Sequence, residues 1–244
     1  MDEIKFGIVI PVRNNPYNIK SLYRRFSSEL KNINYFVCFI DGSDDNKTKV
    51  EINKYFKKNF IIISEKKSEK ISTRCRASRM GFEYFVKKKT NIDYIIDLDS
   101  DLAQDPKDIN KSLFFLKKNT VIIFSKYLKK SKILNRVLYR SFISFFYSLI
   151  CKFFFGKKIS DYSNSFRIYP KLAINKLLEY PLIYSSPIQH LENLLILKKF
   201  FHIKEIPCIY NSSDNLFDQR SAIRLRHLIS YLKDFISCIY RNSI

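Results

Sequence analysis

Apolar and polar positions change their period along this chain. Near-continuous apolar runs cover Ile4 to Val12, Tyr35 to Ile40, Phe60 to Ser64, Tyr94 to Leu98 and Thr120 to Phe124. The segments between them, Tyr17 to Lys31, Lys47 to Lys57, Arg74 to Lys88 and Pro106 to Lys117, space their apolar residues as a helix does. Alternating strands and helices of this kind predict an α/β protein, a parallel sheet covered on both faces. In such sheets ligands sit beyond the carboxyl ends of the strands. The segments to inspect are therefore Arg13-Asn14-Asn15, Asp41-Gly42-Ser43-Asp44-Asp45 and Asp99-Ser100-Asp101.

The second half differs in character. From Ile133 to Phe155 the chain is apolar except at Arg136, Arg140, Ser144, Ser148 and Lys152, every fourth residue, which form one narrow polar stripe on a helix. The broad remaining face reads either as core or as a surface lying in a membrane interface with its basic ends on the headgroups. Further on, the pattern predicts an extended stretch near Ser165 to Tyr169, a helix over Ser186 to Phe200, a strand over Ile203 to Ile209 and a C-terminal helix carrying Arg220, Arg224, Arg226 and Lys233. No repeat or linker breaks the 244 residues, so one domain is expected.

Composition removes several function classes. The four glycines lie too far apart for a dinucleotide-binding turn, a phosphate loop or a nucleophile elbow. The five cysteines contain no C-x-x-C and the three histidines no H-E-x-x-H, so any metal is expected on carboxylate oxygens, as magnesium or manganese. An odd, scattered cysteine set fits a reducing, cytoplasmic location. The Met1-Asp2-Glu3 start lacks the features of a secretory signal. The longest charge-free apolar runs, such as Ser141 to Cys151, fall short of the ~18 residues of a membrane span, so a peripheral attachment is expected rather than a crossing.

The net charge is +21, and it is uneven. Twelve basic residues and no acidic one lie between Asp108 and Asp161. A lysine-rich composition explains part of the excess but not the missing acids, and a concentrated cationic field calls for an anionic partner. A nucleic-acid binder would use the same charge. It is disfavoured because the basic stretch carries no recognisable reading motif and the carboxylates converge where a nucleic acid would be repelled.

Asp97-Leu98-Asp99-Ser100-Asp101 crowds carboxylates at a strand end, and a divalent cation bridged to a diphosphate would relieve their repulsion, with Asp99 and Asp101 as the ligand candidates. A solvated turn or helix cap reads equally well from spacing alone. Asp41 could accept hydrogen bonds from a base such as uracil or guanine and Ser43 could bond a ribose, or the pair could be a plain Asp-Gly turn.

Taken together, Pro11-Val12-Arg13-Asn14, Asp41-Gly42-Ser43, Arg79 ahead of Gly81, Asp99-Ser100-Asp101-Leu102 and the segment from Asp161 to Arg167 resemble, in order and spacing, the family 2 inverting glycosyltransferases. The likeness is strongest to the dolichyl- and polyprenyl-phosphate sugar synthases, whose Arg-x-x-x-Ser helix Arg140 and Ser144 match. The resemblance implies a GT-A fold: a Rossmann-like, mostly parallel mixed sheet flanked by helices, with residues 1–121 the nucleotide-sugar-binding half and 122–244 the acceptor-binding, membrane-proximal half. It implies that Pro11, Arg13, Asn14, Asp41, Ser43, Arg79, Asp99 and Ser100 bind a GDP- or UDP-linked sugar, and that Asp101 with Asp99 holds Mg2+ or Mn2+. Lys126, Arg140, Ser144 and Arg167 would grip an acceptor phosphate. The implied reaction is a single inverting transfer of a sugar to a polyprenyl phosphate on the inner face of the membrane. The sequence departs from the family pattern at Asn15, Ile40, Ala103, Lys126 and Asn164-Ser165, and the late Gly-x-Ser-Lys segment is replaced by Gln219-Arg220-Ser221. An acceptor phosphate is already an anion near neutral pH. A glycan hydroxyl, the other acceptor class, would need a base, for which Glu192 and His190 are the candidates.

Overall fold

The computed structural model describes residues 4–65, 74–89, 91–184, 186–212 and 228–242. The first half alternates as its pattern predicts: β1 (Lys5–Val12), α1 (Pro16–Glu29), β2 (Asn34–Asp41), α2 (Lys47–Tyr55), β3 (Phe60–Ser64), α3 (Arg74–Lys87), β4 (Tyr94–Asp97), α4 (Asp108–Ser112) and β5 (Thr120–Ser125). Then come β6 (Lys132–Leu134), α5 (Leu138–Phe155), β7 (Arg167–Pro170), α6 (Lys171–Leu178), α7 (Ile188–Leu197), β8 (His202–Pro207), β9 (Ile209–Asn211) and α8 (Leu228–Asn242).

Seven strands form one sheet in the order β3-β2-β1-β4-β7-β5-β8, and β6 pairs with β9 in a small second sheet. The large sheet is parallel except at β7, which runs antiparallel to both β4 and β5. Because the central strands are covered on both faces, they read as unbroken apolar runs rather than as alternation. Phe6, Ile8, Ile10 and Val12 meet α1 through Ile19, Leu22 and Phe26, whereas Val9, Cys38 and Ile40 face Phe82 and Phe85 of α3 and Ile174 of α6. A third cluster joins Cys151 of α5, Tyr162, Leu191, Leu194 and Leu195 of α7 and Cys238 of α8. Gly81 is demanded by packing: a Cβ there would stand 2.4 Å from Val9 Cγ1, so α3 lies against β1 at a distance that excludes a side chain.

Four expectations change. The helix expected over Pro106 to Lys117 is only α4 followed by a 3-10 turn over Leu113–Phe115, whose three side chains are exposed and give a longer helix no face to bury. The helix expected from Ile133 starts at Leu138, because β6 takes the preceding residues into a ladder with β9. The strand expected over Ile203 to Ile209 is divided at Cys208 into β8 and β9. Finally, α5 is 18 residues long and apolar enough by length and composition to cross a membrane, because such a window tolerates the charges of Arg140 and Lys152 that cut the charge-free run. In the fold Ser144 and Ser148 of its polar stripe are buried against the body of the protein, with Cys151 beside them. Helix α6 carried no capping side chain, only the spacing of Ala173, Ile174 and Leu177, which are its buried face. Of the basic residues expected on the C-terminal helix, Lys233 lies on α8, while Arg220, Arg224 and Arg226 lie outside the described residues.

Candidate active site

The strand order reverses direction between β1 and β4, and that is where the site lies. Val9 O accepts from Leu98 N and Val12 O from Gly42 N, so the odd residues of β1 face β4 and the even ones face β2. Pro11, with no N–H, therefore falls on the β4 side just past the last β1–β4 pair, Val9 with Asp97. It costs the sheet no hydrogen bond there, and it marks the crevice expected at such a switch point.

The β1 and β2 ends are bound to each other. Asn14, in a left-handed conformation (φ 49°), donates from its main chain to Ser43 Oγ at 2.8 Å and exchanges side-chain bonds with Asp44 at 2.8 and 2.9 Å. Asp41, buried at the end of β2, accepts from Ser43 N at 3.0 Å. Among the described residues Arg13 pairs with the exposed Asp44, at 3.9 Å. Asn15, where the family pattern has an acid, occupies the cap position of α1 but caps nothing, and its amide crosses the crevice to Ser100 O at 3.1 Å.

On the β4 side the carboxylates are neutralised from within. Arg74, the first residue of α3, holds Asp97 through two bonds of 2.8 and 2.9 Å and reaches Asp99 Oδ1 at 2.5 Å. Burial works against the Arg74 charge, yet the two aspartates outweigh it and hold this group well above its ordinary range. Burial raises the Asp97 carboxyl, against the pull of Arg74. The other Asp99 oxygen accepts from Gln104 Nε2 and Ser165 Oγ, both at 2.7 Å. Asp101 is partly exposed and accepts from Ala103 N at 3.0 Å. Between them Leu102 is left-handed (φ 65°), a conformation costing a non-glycine residue about 1–3 kcal/mol. Its buried side chain and a 2.8 Å bond from Arg25 to its carbonyl hold it there.

The opposite wall is cationic. Lys126, buried just after β5, donates to Ser163 Oγ at 3.1 Å and pairs with Asp161 at 3.7 Å. Ser144 of α5 lies within hydrogen-bond distance of Tyr127 (2.9 Å) and Ser163 (2.8 Å). Burial would raise the Asp161 carboxyl, but Lys126 and the N–H and O–H donors of residues 126, 163 and 164 hold it below the usual range. Arg140, one turn before Ser144, is half-buried and leans on Tyr139.

Three expected site residues lie elsewhere. Arg79 spends its guanidinium on the carbonyls of Tyr180 (2.8 Å) and Leu178 (3.1 Å) and on Glu83, binding α3 to the turn after α6. Arg167 is paired with Asp97 across β4 and β7, is fully enclosed, and donates to the main-chain carbonyls of Asn164 and His190. Glu192 turns away: two positions from His190 on α7, it bonds Cys238 at 3.2 Å and Asn242 at 2.8 Å and pairs with Arg241 of α8. His190 instead meets Arg74 at 3.1 Å, and burial together with Arg74 and Arg167 keeps its ring well below its ordinary basicity. Arg74, Ser78, Gln104 and Ser165 were missed as site residues. Only Ser165 lies in a recognised motif, and what gathers the four is the sheet rather than any spacing.

Carboxylate oxygens are hard donors that suit magnesium or manganese. Among the described residues no group of three or more His, Cys, Asp and Glu is disposed to hold an ion unaided. That donor set fits an ion completed by a diphosphate and water, and Asp99 and Asp101 are both partly exposed at the loop.

Over 142 residues, 58% of this chain and 38% of the relative, the sequence is 26% identical to dolichol-phosphate mannosyltransferase of Pyrococcus furiosus. The chain thus spans well under half of that relative's length. Among solved structures, glucosyl-3-phosphoglycerate synthase of Mycobacterium tuberculosis with Mn2+ and UDP-glucose superposes with a TM-score of 0.66 over 99% of this chain and 79% of that one, at 12% identity. The complex of the same enzyme with Mn2+, UDP-glucose and phosphoglyceric acid gives 0.64 over 98% and 80%, also at 12% identity. The shared architecture is the GT-A fold. With residues 7–178, more than half of the sequence, matching the description Glycosyl transferase family 2, the chain belongs to that family.

Proposed function

We propose that this glycosyltransferase moves a hexose from a GDP- or UDP-linked sugar to a polyprenyl phosphate at the cytoplasmic face of a membrane. The observation that carries the reading is the side-by-side placement of the carboxylate loop, the Lys126 wall and the outward face of α5, where Phe153 is 82% exposed and Phe142 65%. Apolar surface of this extent beside a cationic cleft suits an acceptor that is anionic at its head and hydrocarbon behind. The engagement of Glu192 with α8 favours an acceptor that needs no base over a glycan hydroxyl. The solved neighbours are described with phosphoglyceric acid and with glycerol 3-phosphate, which favours a second reading in which the phosphorylated acceptor is small and water-soluble.

In this reading Asp41 and Ser43 hold the base and ribose, Asn15 and Ser100 set the width of the crevice, and Asp101 contributes the protein ligand to a divalent ion. When bound, that ion would neutralise charge on the departing diphosphate. Arg74, Gln104 and Ser165 fix Asp99 so that it cannot rotate toward the donor sugar. Lys126 draws an anionic acceptor to the open side, and Tyr127, Ser144 and Ser163 align it by hydrogen bonds.

A panel of GDP and UDP sugars, with manganese and either a short polyprenyl phosphate, glycerol 3-phosphate or an oligosaccharide, separates the readings. Label passing into the organic phase is expected, and Asp101→Ala should reduce it by ~100-fold or more, the scale on which electrostatic transition-state support is lost. Transfer to glycerol 3-phosphate alone selects the second reading, and transfer to the oligosaccharide alone refutes both.

A further inference from the structure

On the wall opposite the carboxylate loop, two cations share one aromatic ring. Lys126 Nζ lies 5.2 Å from the centre of the Tyr210 ring, and the guanidinium carbon of Arg136 also lies 5.2 Å from it. Chain proximity does not explain the grouping. Lys126 follows β5, Arg136 lies between β6 and α5, and Tyr210 is the middle residue of β9, in register with Ile133 of β6. The main chain of Tyr210 also bridges to Gln104, whose side chain holds Asp99, so β9 links this wall to the carboxylate loop.

The charges in this group do not balance. The carboxylate paired with Lys126 is Asp161, whose oxygens already accept from the main chain of Lys126, Ser163 and Asn164 and from the Ser163 hydroxyl. Arg136 rests on the ring, and its Nη1 is buried with no hydrogen-bond partner among the described residues. A buried guanidinium N–H without an acceptor carries its whole desolvation cost. Burial lowers the Lys126 ammonium below its ordinary basicity, a cost that Asp161 offsets only in part and to which Arg136 adds some repulsion. An oxyanion between Lys126 and Arg136 would give the orphaned donor a partner and remove the repulsion.

We propose that Arg136 and Lys126, spaced by the Tyr210 ring, form the seat of a phosphate monoester, and that Arg136 is the residue selecting a phosphorylated acceptor over a neutral one. The inference rests on the reading that the acceptor carries a phosphate, and it adds a residue to those the sequence motifs indicate. Arginine suits the task because its planar donors can engage two phosphate oxygens at once.

The test is equilibrium binding of inorganic phosphate, farnesyl phosphate and UDP to the purified protein and to Arg136→Gln and Arg136→Lys. Arg136→Gln should weaken phosphate and farnesyl phosphate binding by about tenfold, the loss of one charge-assisted contact, and leave UDP within about twofold. Arg136→Lys should recover part of the loss. Where transfer is measurable, KM for the prenyl phosphate rises in Arg136→Gln while kcat holds. Unchanged phosphate affinity in a variant that unfolds at the wild-type denaturant midpoint would overturn the proposal. So would a loss of UDP binding equal to that of phosphate, which would assign the seat to the donor diphosphate. Arg136-dependent phosphate binding without sugar transfer to farnesyl phosphate supports the seat and refutes the lipid-acceptor reading separately.

Discussion

The two walls of the cleft handle charge in opposite ways. Along β4, Asp97 and Asp99 are matched by Arg74, Ser78, Gln104 and Ser165, so the acids are compensated before any ligand arrives. Along β5 and the approach to α5, Lys126 and Arg136 share a ring, Lys126 pairs with Asp161, Arg136 has a donor left without a partner among the described residues, and the helix beside them turns phenylalanines to solvent. A compensated wall is rigid and stable by itself. An uncompensated one stores unfavourable energy that a ligand relieves, which is how a binding surface differs from a scaffold.

Swapping single charges on the two walls gives the sharpest contrast. Arg74→Ala strands the Asp97 carboxylate in the sheet and should cost about 3–5 kcal/mol in urea unfolding at neutral pH, the deficit shrinking in acid as Asp97 takes up a proton. Arg136→Ala, on the other wall, should change stability by less than about 1 kcal/mol, because it removes an unsatisfied donor along with the charge. An equal loss at both positions would erase the distinction between the walls.

A smaller effect tests the packing beneath the compensated wall. Gly81→Ala places a methyl against Val9 and should destabilise by about 1–3 kcal/mol, with a lowered thermal midpoint and no change in phosphate binding.

The pH dependence follows from His190, whose folded-state basicity is depressed. Below about pH 6.5 the unfolded chain takes up a proton that the folded one refuses, so stability should fall as pH drops through that value. Urea midpoints at pH 7.5 and 5.5 should differ less in His190→Gln than in the parent, and an unchanged difference would mean the ring is not shielded by Arg74 and Arg167.

The smallest expected effect on stability lies on α5. Phe142→Ser with Phe153→Ser should leave the unfolding midpoint within about 0.5 kcal/mol, since both rings are exposed. The same pair should lower binding to vesicles containing anionic lipid by about tenfold or more, measured by co-sedimentation. Retained vesicle binding would detach the membrane from this face.

Much of the donor side was legible in the chain because it is built from strand ends. A buried apolar run followed by Asp or Asn announces both the strand and the loop beyond it, which is why Asp41, Asp99 and Asp101 could be placed at strand ends from the chain alone. Arg79, Arg167 and Glu192 are engaged away from the cleft, because a motif position gives proximity but not direction. One residue's rotation on α3 sends Arg79 to the carbonyls of Leu178 and Tyr180, while Arg74 and Ser78, one turn apart, face Asp97. The ladder of β6 with β9 was invisible because three-residue strands carry no period to read.

Periodicity and composition are local properties of the chain, and they suffice for the alternation of the first strands and helices, the carboxylate loop and the excess of positive charge. Which charges cancel is a property of the folded molecule. Compensation between Arg74 and Asp97, or its lack around Arg136 and Tyr210, depends on distances of a few ångströms between residues far apart in sequence, and those distances are set by how the sheet orders its strands.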